Sequence, residues 1–286
     1  MSSWTALAEH SAGPFSTRPL PPGQRIALRI EYDGSRYCGW QAQPHLPHIA
    51  TVQATLEAAL AVIATVPVRV HCAGRTDTGV HATAQWVHFD QPVQRSLKSW
   101  IVGGNAQLPP EIRIADGVAV PADFHARHSA VARRYDYVIA NTPTAPALWA
   151  HRALWVRGPL DAGAMHRALQ ALLGEQDFSA FRAASCQSRT PMRFLESALV
   201  RRHGDYLQLR LVANAFLHHM VRNIVGSTLE VGAKRQPEAW LGDLLSRRDR
   251  TVAAATAGPQ GLYLTGVRYP EGFGIPDGED LPFFPN

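Results

Sequence analysis

The chain has 286 residues, 46% of them hydrophobic and 18% charged, a mixture that can bury a sizeable core and excludes a polymer disordered by composition. Lys and Arg outnumber Asp and Glu by 28 to 23, a net charge of +5 that favours an acidic partner such as nucleic acid without requiring one. The three cysteines, Cys38, Cys72 and Cys186, form no CxxC pair and no even-numbered framework, which argues against a disulfide-stapled fold and for a reducing, cytoplasmic setting.

Residues 1–24 are rich in Ser, Pro and Gly and lack the basic and apolar segments of a signal peptide, so they read as a flexible N-terminal tail. No window holds the charge-free apolar run that a membrane-spanning helix needs, and a soluble protein is expected. Folding begins at Arg25 to Tyr32, where Ile26, Leu28, Ile30 and Tyr32 alternate as in a strand ending at an Asp33-Gly34 turn. Thr51 offers an N-cap, and Val52, Leu56, Leu60 and Ile63 recur at helical spacing until Pro67. Val68, Val70 and Cys72 alternate as a second strand leading into a loop with glycines at both ends, Gly74 to Gly79. A strand at Ala84 to Phe89, a helix at Leu97 to Val102 and a strand at Ile112 to Val120, broken by Asp116-Gly117, complete the first half.

The second half repeats the plan. Strand Val131 to Ala140 precedes a Pro-rich connection and a helix from Asp161 to Leu173. Strands at Phe194 to Arg201 and Tyr206 to Val212 form a hairpin through His203-Gly204-Asp205, followed by a helix from Phe216 to Val231 and a last strand, Leu262 to Tyr269. The predicted class is α+β: two similar α/β halves, 25–128 and 129–270, with antiparallel sheets forming a central basic cleft, and a C-terminal tail over 271–286.

Three segments carry candidate chemistry. In Gly74-Arg75-Thr76-Asp77-Thr78-Gly79 a carboxylate sits in a tight loop with small neighbours that admit a bulky substrate, and Arg75 is placed to pair with Asp77 and keep it ionised. Standing alone, the loop has a plainer reading as a turn in which Asp77 caps amides and Arg75 is solvated. In Asn214 to Asn223, helical spacing sets His218 one turn from Arg222 and makes a cationic face suited to a phosphate or a carboxylate, or simply a solvated edge. On the strand from Val131, Arg133, Tyr135 and Tyr137 share one face, an arrangement fit for a single-stranded base and its phosphate, although tyrosines at this spacing are more often ordinary half-buried sheet residues. Arg182, Arg189 and Arg193 mark a further basic loop, a solvated surface unless the cleft faces it.

Other chemistries find little support. His71, Cys72 and His81 lack zinc-site spacing, and His218 and His219 are adjacent rather than one turn apart, so no metal site is expected. No GxGxxG follows the first strand, and neither a P-loop nor a GxSxG elbow occurs.

At these residues the chain resembles the TruA family of tRNA pseudouridine synthases over nearly all of Arg25 to Pro270. The resemblance rests on EYDGSRYCGWQ (31–41), AGRTDTGVHA (73–82), FHARHSAVARRYDYVI (124–139), FRAASCQSRTP (181–191), NAFLHHMVRNIVG (214–226) and AAATAGPQGLYL (253–264), all in this order. It implies that Asp77 is the catalytic carboxylate, that Tyr135 lies against the target uracil and assists proton loss from C5, that Arg222 pairs with the carboxylate, and that Arg75 helps to extrude the base. It implies isomerisation of uridine to pseudouridine at positions 38, 39 and 40 of the tRNA anticodon stem-loop by a cytoplasmic homodimer in which one tRNA touches both subunits. Because such a reaction has no redox step and no group donor, no cofactor is expected.

Two rivals stand beside this reading. A non-catalytic RNA binder with the same fold has no use for Asp77, whose charge would repel phosphates. A related synthase acting on other tRNA positions or another RNA also fits, since substrate choice resides in shape and flexible loops. The N-terminal tail and the acidic end, Asp277 to Asp280, lie outside the resemblance and receive no role.

Overall fold

A computed structural model describes residues 15–43, 45, 46, 48–277 and 281. Residues 1–14 of the expected N-terminal tail, and all of the acidic end except Asp277, lie outside the described residues. The described part of that tail is held to the body. Strand β1 (Pro19–Leu20) pairs with β5 (Arg95–Ser96), and the side chains of Gln24 and Gln91 donate to the carbonyls of Val120 and Leu20.

The first half contributes β2 (Arg25–Tyr32), α1 (Val52–Ala64), β3 (His71–Cys72), β4 (His81–Asp90), α2 (Gly104–Gln107) and β6 (Ile112–Ala119). The second contributes β7 (Ala132–Ala140), β8 (Leu154–Trp155), α3 (Ala162–Gln170), β9 (Gly174–Asp177), β10 (Met192–His203), β11 (Tyr206–Ala213), α4 (Met220–Gly232), α5 (Trp240–Arg247) and β12 (Leu262–Arg268). The main sheet runs in the order β6-β2-β4-β12-β7-β11-β10-β9, with β3 added to β4 and β8 to β7. The last strand therefore returns to the middle, parallel to β4 and antiparallel to β7, and ties the two groups of strands into one mixed sheet. The architecture is α+β.

Local chemistry explains most boundaries. Thr51 accepts from the Ala54 amide and caps α1, whose Leu56 and Leu60 are fully buried against the sheet. Thr65, in the left-handed region at φ 60°, ends the helix just before Pro67. The strand expected from Val68 shrinks to His71–Cys72 because α1 takes over its hydrogen bonding. Glu57 accepts from the Val70 amide at 3.0 Å and Gln53 donates to the Val70 carbonyl at 3.3 Å. The expected helix from Leu97 to Val102 forms, with a π turn over Ser99–Gly103 that runs on into α2. β6 is continuous through Asp116-Gly117, the extra residue being absorbed in a bulge against β2. Strand β9 and helix α5 have no counterpart among the expected elements.

The core includes the fully buried Trp86, Trp100, Tyr137, Phe124 and Phe178. Among the described residues one carboxylate, Asp136 on β7, is fully buried. It accepts from Arg210 Nε and Gln208 Nε2 at 2.8 Å each and from Thr265 Oγ1, so three neighbouring strand residues satisfy its charge. Among the described residues no helix is long and apolar enough to cross a membrane.

Candidate active site

The loop bearing Asp77 joins β3 to β4 and is built from beneath. Gln85, fully buried on β4, donates through Nε2 to the Gly74 carbonyl and accepts from the Gly74 amide at 3.3 Å, replacing the ladder that ends there. Thr76 Oγ1 lies 2.8 Å from the buried Tyr32 hydroxyl. The segment after β2 closes over the loop, with the Trp40 amide donating to the Thr76 carbonyl at 3.0 Å. Gly39 makes this fit possible. Its φ is +79°, and a Cβ there would stand 2.8 Å from the Thr76 carbonyl oxygen. Gly34 lies closer still, since a Cβ would meet the Val80 oxygen at 2.0 Å. The strings 31–41 and 73–82 are thus two layers of one structure.

The far end of the loop is pinned by His81, buried at the start of β4. Its Nδ1 is 3.2 Å from Asp33 Oδ1 and its Nε2 donates to the His151 carbonyl at 2.9 Å. The His81 imidazole, with help from Ser35, holds the Asp33 carboxyl well below the usual carboxylate range.

The opposite wall is the N-terminal end of α4. The expected helix start at Phe216 moves to Met220 because His219 takes a left-handed φ of 60°, a sharp turn that few non-glycine residues adopt. That turn aims three side chains at Asp77. Arg222 Nη1 donates to Asp77 Oδ2 at 3.2 Å, His219 Nε2 lies 3.3 Å from the same oxygen, and His218 Nε2 lies 3.4 Å from Oδ1. Arg222 is itself held, since its Nε donates to the Ala257 carbonyl at 2.8 Å. His218 Nδ1 is 3.0 Å from Ser185 Oγ. Burial, helped by the neighbouring His218 and Arg222, outweighs Asp77 and pushes the His219 imidazole down from its ordinary value.

Tyr135, on β7, is 9% exposed and meets the edge of Phe216 at a ring separation of 5.1 Å. A Cβ on Gly74 would be 3.7 Å from its hydroxyl, so the phenol lies against the Asp77 loop. Burial first, and the Asp77 charge second, push the phenol far up, and it is protonated at neutral pH.

These groups floor a concavity of about 1050 Å³ that continues, past Asp77, His218, His219 and Arg222, into a hollow of about 450 Å³. Six arginines line the larger space, Asp77 is its one carboxylate among the described residues, and a polyanion is the matching ligand.

Asp77, Tyr135, Arg75 and Arg222 all reach this space, but Arg75 is exposed at its wall, and the guanidinium on Asp77 is that of Arg222. Of the two readings of the face shared by Arg133 and Tyr137, the ordinary sheet face is the one the structure has. The Arg133 guanidinium is taken up by the carbonyls of Ala73, Arg127, Ala130 and Asn214, which staples the walls together. Tyr137 is wholly buried and donates to the Gly258 carbonyl at 2.7 Å. In the basic loop, Arg182 donates to the carbonyls of Cys186 and Ser188 and Arg193 to Ser188 Oγ and nearby carbonyls, while Arg189 stays exposed.

Sequence reading missed the convergence of His218 and His219 on Asp77, because adjacent residues on an ordinary helix point apart. Their ligand atoms and that of Asp77 fall within 4.8 Å of one another, a grouping that resembles a metal site in distance alone. With Arg222 on the same carboxylate, the local positive charge opposes a cation. Gln85 and the Ala257 carbonyl were also missed, the second because a backbone group leaves no trace in residue type.

Comparison with known proteins follows the same residues. A family model described as tRNA pseudouridine synthase matches residues 29–129 and 168–270. Among similar proteins, tRNA pseudouridine synthase A of Escherichia fergusonii is 53% identical over 270 residues, covering 94% of this chain and 99% of that protein. The protein of the same name from Escherichia coli O139:H28 is 52% identical over the same length and coverage.

Proposed function

The chain belongs to the TruA family of tRNA pseudouridine synthases and isomerises uridine to pseudouridine in tRNA, and we propose that Asp77 is the carboxylate on which that reaction turns. The observation that carries the proposal is the ion pair between Asp77 and Arg222, 3.2 Å long, at the floor of an arginine-lined concavity with Tyr135 beside it.

The reaction breaks the N1–C1′ bond, turns the uracil over, joins C5 to C1′, releases the C5 proton and places a proton on N1. Composition and oxidation state are unchanged, so a carboxylate, a proton path and a dry pocket suffice. Attack at C1′, removal of the 2′ proton and addition to C6 each require an ionised, aimed carboxylate. Arg222 supplies the aim, being fixed at one end by Ala257 and at the other by Asp77. Tyr135 receives the uracil as a neutral phenol, and any proton it takes from C5 must be matched by release of its own. The target base has to leave its stack to reach Asp77, and the exposed Arg75 stands where it enters.

The substrate is the anticodon stem-loop at positions 38, 39 and 40. The halves 25–128 and 129–270 frame the concavity as a basic cleft, and the protein works in the cytoplasm as a homodimer that shares each tRNA between subunits. The arginine-rich lining supports the RNA reading, because phosphate contacts position a stem-loop without reading its sequence. The deciding experiment incubates the protein with unmodified tRNA transcripts and maps pseudouridine nucleotide by nucleotide. Conversion confined to positions 38–40 is expected. Conversion elsewhere, with those positions untouched, overturns the substrate assignment.

A further inference from the structure

Away from Asp77, one wall of the concavity is made of histidine. His71 ends up beside His88, with rings stacked at 5.1 Å. His88 meets His125 at 4.5 Å, and His125 meets His128 at 4.3 Å. The last two belong to the turn between β6 and β7, which Arg25 pins through the carbonyls of Ala122 and Phe124. None of these imidazoles touches Asp77, Tyr135 or Arg222 in the chemistry described above.

The quartet has an inner and an outer pair. His88 is buried and its Nδ1 accepts the Ala126 amide at 3.1 Å, while His125 Nδ1 accepts the amides of Arg127 and His128 at 3.1 and 3.3 Å. With Nδ1 committed as acceptor, each inner ring carries its proton on Nε2. Burial and the surrounding imidazoles push His88 down to about 4 and His125 also below its ordinary value, so the inner pair is neutral and stacking builds up no charge. His71 and His128 are exposed, and they line the concavity together with His125, Arg127, Arg69 and Arg75. Two of the nearby carboxylates are engaged. Asp90 is bound by Arg25 at 2.7 and 2.9 Å, and Glu57 lies 3.6 Å from Arg69.

We propose that His71, His128 and Arg127 form a second subsite for RNA backbone, binding a phosphodiester next to the target nucleotide while the base itself occupies the Asp77 floor. The subsite rests on the reading of the concavity as an RNA cleft. Imidazole and guanidinium N–H groups are phosphate donors, and this wall brings several of them together. The inner pair, His88 buried and His125 half-buried, is fastened to backbone amides and gives the outer donors a rigid backing.

The test compares the otherwise unaltered protein with a His71→Gln, His128→Gln, Arg127→Gln variant. tRNA affinity is measured across a salt series, using transcripts with and without methylphosphonate, an uncharged phosphate mimic, next to the target uridine. Melting temperature reports folding. The expected variant binds about 5- to 20-fold more weakly and has a salt slope shallower by at least ~0.7, the value of one lost phosphate contact on a single strand. Its KM rises with kcat within about twofold. The parent loses affinity on methylphosphonate substitution and the variant does not. Equal slopes and equal sensitivity to methylphosphonate in a folded variant overturn the subsite. If the variant does not fold, methylphosphonate at each flanking position of the parent's substrate decides it, indifference at all of them refuting the proposal. Because binding is measured apart from conversion, failure of the 38–40 assignment appears in the pseudouridine map and failure of the subsite in the salt slope.

Discussion

Replacing Asp77 by Asn removes one negative charge while preserving shape, and the structure dictates opposite effects on chemistry and on binding. The amide oxygen still accepts from Arg222 Nη1, now 3.2 Å away. Because the pair is partly exposed, at 14% for Arg222 and 27% for Asp77, the loss of fold stability is about 1 kcal/mol. Turnover falls by at least about a thousandfold, since an amide neither attacks carbon nor accepts a proton at neutral pH. RNA binding does not weaken. A phosphate ~8 Å from the removed charge is relieved of about 2 kcal/mol of repulsion at an effective dielectric constant near 20, and salt screening reduces this to about 1 kcal/mol. The variant is therefore expected to bind tRNA as tightly as the parent or up to about fivefold more tightly. Turnover is read from release of tritium from uridine labelled at C5, and affinity from filter binding at a fixed salt concentration. Turnover within tenfold of the parent refutes the assignment of Asp77. A tenfold loss of affinity refutes the electrostatic reasoning, because it makes the carboxylate part of the RNA-binding surface.

Tyr135→Phe keeps the ring that packs against Phe216 and removes the phenol, so kcat is expected to fall about 10- to 100-fold with tRNA affinity changed by less than threefold, in the same two assays. Arg222→Lys keeps the charge but cannot span Ala257 and Asp77 at once, and kcat should drop about tenfold or more with a melting temperature close to the parent's. The depressed His88 imidazole makes stability depend on pH. Between the ordinary value of 6.5 and about 4 the unfolded chain binds a proton that the folded chain does not, so stability falls as pH drops through that window and is unaffected above it. The slope approaches about 1.4 kcal/mol per pH unit, and denaturant melts of a His88→Gln variant, whose amide oxygen replaces Nδ1 as acceptor for Ala126, should lose that part of it.

Much of the fold was legible because alternation and capping are local. Strand β2 occupies the residues that its alternation marks, Thr51 caps α1, and the hairpin of β10 and β11 turns at Gly204. Elements went astray where a distant group replaced the expected hydrogen bond, as when Glu57 and Gln53 took the partners of Val70. They also went astray where a single left-handed residue, His219, delayed a helix by a turn. In the site, Asp77 was visible as a carboxylate in a glycine-flanked loop, and the resemblance supplied its pairing with Arg222. Spacing offers Arg75, two residues away, either as its partner or as a solvated side chain, and leaves Arg133 either to RNA phosphates or to an ordinary sheet face.

What the sequence determined alone is therefore whatever depends on neighbours along the chain: the class of each main element, the glycines that let layers approach, and the family to which the ordered motifs belong. The tertiary structure decided which charges meet. Arg222 reaches Asp77 across 145 positions of chain because β12 returns between β4 and β7 and brings α4 over the loop. Arg133 is lost to RNA because four carbonyls surround it first. A hydrogen bond or an ion pair is a relation of distance in space, and a chain that folds back on itself makes that distance independent of separation in sequence.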